Sequence, residues 1–156
     1  MQFVKMQATG NDFVVIEPKG KDLDWSGEAK RLCDRHFGIG ADGILLILPS
    51  KTGAIRMRMF NPDGTESEMC GNGIRCVTKY ATEGGLTRAS KEGVAVETKA
   101  GIRTVWPVFK GEAVDAVRVD MNSPELTPMR IPVAVEGNGP VVDYPLNING
   151  TSLRTT

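Results

Sequence analysis

Apolar residues in this chain come in short runs cut by glycine and proline, a pattern that favours short strands with few helices. Residues 13–16, 44–48, 55–60, 94–98, 102–106 and 114–121 read as strands, several alternating cleanly in the way of 55–60. Residues 2–6 form a further strand, and Ala8-Thr9-Gly10-Asn11-Asp12 turns it into 13–16 as a hairpin. Lys99-Ala100-Gly101 joins a second hairpin. Helical spacing occurs in two windows. In the first, Ser26 caps a helix whose apolar face is Ala29, Leu32, Cys33 and His36/Phe37. The second carries Ile74, Val77, Tyr80 and Ala81 and stops at Gly84-Gly85. With 18 Gly and 9 Pro in 156 residues, turns outweigh long helices.

The 19 Lys+Arg balance 19 Asp+Glu, which argues against a nucleic-acid or membrane-surface binder. Apolar runs of about five residues are too short to cross a bilayer. Three Cys cannot form a complete disulfide framework, and the start of the chain shows no export signal; both point to a reducing cytoplasm. After Asn122 the prolines cluster and regular patterning fades. Residues 1–121 are therefore read as one unit, 122–132 as a linker, and 133–156 as the opening of another.

The chemistry concentrates in residues 60–76. Asn61-Pro62-Asp63-Gly64 has the composition of a tight turn. Cys70 stands directly before the helix that Gly71-Asn72-Gly73 opens. Helix-start N–H groups lack internal partners and carry partial positive charge, so a thiol here gains thiolate character. The same N–H groups can hold a substrate carboxylate. The plainer alternative is a small buried Cys filling a core gap. Cys76 lies about 240° around a regular helix from Cys70 and, like Cys33, reads as core. Cys33, His36, Cys70 and Cys76 match a zinc set in number only, because their spacing lacks two tight pairs. The glycine loop 38–43 lacks the Lys-Ser/Thr of a P-loop and follows a helix, so phosphate binding there is weak. Glu66, Glu68, Arg75 and Lys79 read as solvated charges by default. Asn11 and Asn61, at strand ends beside Gly or Pro, offer both donors and acceptors to an amino acid, with turn chemistry as the alternative.

Three motifs in order resemble the diaminopimelate epimerase family. They are Lys5-Met6-Gln7-Ala8-Thr9-Gly10-Asn11-Asp12-Phe13, Asp34-Arg35-His36-Phe37-Gly38-Ile39-Gly40-Ala41-Asp42-Gly43, and Phe60-Asn61-Pro62-Asp63-Gly64 with Met69-Cys70-Gly71-Asn72-Gly73-Ile74-Arg75-Cys76. Residue 8 is Ala where the family often has Gly. Cys-Gly-Asn-Gly differs from the Cys-Gly-His-Gly usual in the related proline racemases, and phenazine-type isomerases lack this cysteine. The resemblance implies an α+β fold of two pseudo-symmetric halves, each a curved, mostly antiparallel sheet around a central helix. It implies a cofactor-independent enzyme interconverting LL- and meso-diaminopimelate with two cysteines, and a homodimer when full length. Carried over by motif, Cys70 is the base/acid of the first half, Gly71 and Asn72 contact the substrate carboxylate, and Asn11 and Asn61 bind substrate. The family's second cysteine, with a His and a Glu, belongs to the other half; none of them is found before Thr156. These 156 residues are therefore expected to show little or no epimerase activity alone. A racemase of another amino acid such as histidine, and a non-catalytic carboxylate-binding half-domain, remain the alternatives.

Overall fold

The computed structural model describes residues 1–20, 23–131, 133–135, 137 and 139–156. It divides into two compact units, Met1–Asp120 and Met121–Thr156.

In the first unit β1 (Val4–Ala8) and β2 (Asn11–Ile16) form the opening hairpin. α1 (Trp25–Cys33) then crosses to β3 (Gly43–Leu48), which pairs parallel to β2, with Phe13 opposite Gly43. β4 (Ile55–Phe60) returns antiparallel and also pairs with the short β5 (Glu66–Ser67). α2 (Gly71–Glu83) crosses next to β6 (Val94–Thr98), parallel to β4. β7 (Gly101–Lys110) and β8 (Ala113–Val119) complete the sheet as antiparallel neighbours. Two parallel pairs, each spanned by a helix, interrupt an otherwise antiparallel sheet.

Strand alternation sends neighbouring side chains to opposite faces. Phe13, Val15, Leu45, Ile47, Ile55, Met57 and Met59 pack with Ile74, Cys76, Val77 and Ala81 of α2. Val14, Ile16, Ile44, Leu46 and Phe60 pack on the other face with Trp25, Ala29, Leu32 and Cys33 of α1. Strands β1 and β8, at opposite ends of the sheet, both contact α2, so the sheet curls around that helix. This is the expected α+β arrangement of a curved sheet about a central helix.

Three local expectations need correction. The N-cap of α1 is Asp24, whose carboxylate accepts from Gly27 N at 3.2 Å; Ser26 instead donates to Gly64 O at 2.8 Å. Helix α1 also ends before His36 and Phe37. Asp34 Oδ1 accepts from both of their N–H groups at 2.7 Å, a local turn that competes with another helical turn. Phe37 is left 95% exposed, so it contributes nothing to the α1 face. The strand expected to end at Trp106 runs through Pro107 to Lys110. Pairing with β6 ends at Val105, so Pro107 lies where one side of β7 needs no donor.

In the second unit β9 (Tyr144–Ile148) and β10 (Thr151–Thr155) form an antiparallel hairpin. Pro132, the expected end of the linker, lies outside the described residues.

Candidate active site

Parallel pairing places the first residues of β2 and β3 at one edge of the sheet, and antiparallel β4 ends there. Asn11, Asp42 and Asn61 therefore share that edge, since Phe13 lies opposite Gly43 and Ile44 opposite Phe60. Helix α2 follows from the same end of β4.

Cys70 is the N-cap of α2, with extended backbone at φ −138° and ψ 112°. Its half-buried Sγ accepts from Gly73 N at 3.2 Å, and its carbonyl accepts from Ile74 N at 2.9 Å. No acidic side chain occupies the first turn, so no carboxylate there offsets its partial positive charge. Gly73 permits this closeness. A Cβ there would lie 2.8 Å from Leu45 Cδ2 and 3.4 Å from Cys70 Sγ. Cys33 and Cys76 are both buried, and burial pushes each thiol up to about 11.

Asn72 and Asn11 are joined directly, Asn72 Nδ2 donating to Asn11 Oδ1 at 2.5 Å. Asn11 Nδ2 donates in turn to Asp42 Oδ2 at 3.1 Å. Arg75 donates to Asn72 Oδ1, to Thr9 Oγ1 at 2.6 Å and to Gly71 O at 3.1 Å. Asn61 is held differently, its Nδ2 donating to Thr65 Oγ1 at 2.9 Å. No hydrogen bond among the described residues links it to Asn11, Cys70 or Asn72. Of the five candidates, four cluster at the α2 start and Asn61 shares their edge through strand register.

Sequence reasoning missed the ionic group behind Asn11. Arg35 contacts Asp12 and Asp42, each at 2.7 Å, and Lys5 contacts Asp12 at 2.8 Å. The Arg35 and Lys5 partners hold the Asp12 carboxyl well below the usual range, while Asn11 and the Asp12 N–H lower that of Asp42. Depressed carboxylates stabilise the fold above their unfolded value, about 4, and that contribution disappears as pH falls through the folded values. Urea midpoints should therefore drop below about pH 4, and Asp12→Asn should flatten the slope. An equally steep slope in that variant would place the acid sensitivity elsewhere. Arg75 was also missed, although its positions three after Asn72 and four after Gly71 aim it back at the first turn.

Among the described residues no group of three or more His, Cys, Asp or Glu could hold a metal. His36 is exposed, its ring 6.5 Å from that of Phe37. A cleft of about 620 Å³ lies elsewhere, where Ile16 ends β2 against Pro18, Leu23 and Trp25, and does not include Cys70. No helix among the described residues is long and apolar enough to cross a membrane.

The family model described as diaminopimelate epimerase matches residues 3–127. The chain belongs to the diaminopimelate epimerase family. The diaminopimelate epimerase of Moorella thermoacetica is 49% identical over 158 residues, covering 100% of this chain and 56% of that protein. That of Desulfovibrio desulfuricans is 48% identical, again covering 100% of this chain and 56% of the relative. The chain thus spans little more than half the length of these relatives. Among solved structures, a probable proline racemase from Agrobacterium radiobacter aligns with TM-score 0.62 at 19% identity, covering 75% of this chain and 40% of that one. A hydroxyproline epimerase from Agrobacterium vitis aligns with TM-score 0.59 at 20% identity, covering 75% and 40%. At these identities the likeness speaks for the fold alone.

Proposed function

We propose that this chain supplies one face of a cofactor-independent epimerase site acting on LL- and meso-diaminopimelate. Residues 1–121 are its first half, 122–132 a linker, and 133–156 the start of a second half. The observation that carries this reading is the Cys70 sulfur, capped by the Gly73 N–H at the start of α2.

As thiolate, Cys70 takes the α-proton; the C–H electrons pass into the adjacent carboxylate as an enolate and Sγ becomes a thiol. The first main-chain N–H groups of α2, at Gly71 and Asn72, hold that carboxylate and meet its growing charge with fixed dipoles. Asn11 and Asn61 bind the polar groups of the amino acid. A thiol on the opposite face returns a proton to carbon and inverts it, and the reverse direction exchanges the two roles. A thiol can take or give the proton according to its protonation state, which suits both roles. Neither Cys33 nor Cys76 fits the opposite role, since both face the core from α1 and α2 and are buried there. That second thiol belongs to the family's other half, and the full-length enzyme is a homodimer. The enzyme works on a small amino acid in the cytoplasm.

Incubating these 156 residues with LL-diaminopimelate in D₂O, followed by ¹H NMR of the α-protons, tests the division of labour. The expected result is no stereoinversion, with any α-deuteration dependent on Cys70. Inversion at enzyme-like rates by this chain alone would show that a single thiol suffices and overturn the proposal.

A further inference from the structure

The Asn72–Asn11 pair lies between two groups whose hydrogen-bonding capacity is one-sided. The Arg75 guanidinium only donates, and an ionised Asp42 carboxylate only accepts. An asparagine amide is nearly symmetric in shape, so its orientation follows from what its neighbours offer. Arg75 Nη2 meets Asn72 Oδ1, Asn72 Nδ2 meets Asn11 Oδ1, and Asn11 Nδ2 meets Asp42 Oδ2. Turning over Asn72 sets its NH₂ against a guanidinium; turning over Asn11 sets its carbonyl against a carboxylate. Turning over both preserves their mutual bond and loses both ends. Only one threading satisfies all three contacts.

Each end is itself anchored. Arg75 also holds Gly71 O and Thr9 Oγ1, tying α2 to the β1–β2 turn. Asp42 accepts from Asp12 N at 3.1 Å and from Arg35 at 2.7 Å. The donor-only and acceptor-only termini are thus fixed by separate parts of the fold.

We propose that Asp42 and Arg75 are positioning residues that set the polarity of the Asn72–Asn11 relay, holding the Asn11 amide oxygen toward α2 and its NH₂ toward β3. Its consequence for substrate rests on the epimerase reading. Asn11 then offers a lone pair to an amino-acid ammonium on the α2 side. Asn72, its side chain committed to the relay, meets substrate through its main-chain N–H.

The test is ¹⁵N,¹H NMR of the asparagine side-chain amides in this chain, assigned with Asn11→Ala and Asn72→Ala. Both NH₂ groups should exchange with water about tenfold more slowly than that of exposed Asn147, as expected for one positioned hydrogen bond. Asp42→Asn or Arg75→Gln alone should leave both NH₂ groups protected, because the remaining terminus still dictates direction. The double variant Asp42→Asn/Arg75→Gln should lose protection at both Asn11 and Asn72, because neither end then fixes the orientation. Asp42→Glu and Arg75→Lys should retain it. Protection at Asn11 and Asn72 persisting in the double variant would overturn the proposal, since the relay would then hold its direction without either terminus. Backbone amides of β3 and α2 report folding; if the double variant unfolds, the single variants decide, since loss of the far asparagine's protection in either would show that the remaining terminus does not fix it. None of these readouts needs turnover. An intact relay in a chain whose Cys70 proves inert would therefore count against the epimerase reading alone.

Discussion

Iodoacetamide at about pH 7.5 should consume one thiol per chain in a fast phase and leave two almost untouched. A thiol pushed up to about 11 is ionised only to roughly three parts in ten thousand at that pH, which is the position of Cys33 and Cys76. An accessible thiol of ordinary acidity holds roughly a tenth of its population as thiolate, a difference of about 300-fold before burial adds steric protection. Cys70→Ala should abolish the fast phase entirely. Peptide mapping of the alkylated chain checks the assignment. The informative comparison is with free cysteine at the same pH. A Cys70 rate no higher than that of the free amino acid would mean that the Gly73 N–H and the α2 terminus do not activate the sulfur, and the proposed base would be lost.

Gly64→Ala should destabilise the first unit by roughly 2–5 kcal/mol, read as a lower urea midpoint at unchanged slope. Gly64 has φ +85°, and a Cβ there would lie 2.8 Å from the Ser26 carbonyl and 2.7 Å from Ser26 Oγ. The left-handed backbone costs about 1–2 kcal/mol for an L-residue, and the crowding against α1 adds about 1–3 kcal/mol. The same turn holds Asn61, whose carbonyl accepts from Gly64 N at 2.9 Å. Displacing it should therefore also move the Asn61 side-chain amide resonance. A loss below about 1 kcal/mol would mean that the turn can lift from α1 without penalty.

Much of the fold was legible because its signals are local. Alternation at 55–60, the turn residues at 61–64 and the glycines after Cys70 each act over a few positions, and the structure places a strand, a turn and a helix start there. The end of α1 was misjudged for an equally local reason. Helical spacing continues to Phe37, yet the Asp34 side chain offers the following N–H groups a competing partner. At Pro107 the error was one of context, because tolerance of a missing N–H depends on whether a neighbouring strand needs it.

Sequence alone determined the alternating strands, the cysteine at a helix start, and the ordered motifs that mark the diaminopimelate epimerase family. Only the tertiary structure decided that Asn11, Asp42 and Asn72 form one continuous relay with Arg75, and that Arg35 braces it from behind. The reason is register. Residues 11, 42 and 72 become neighbours because α1 carries the chain across to a parallel β3, and α2 starts from the edge where β4 ends. No periodicity within any one segment encodes a pairing between segments some thirty positions apart.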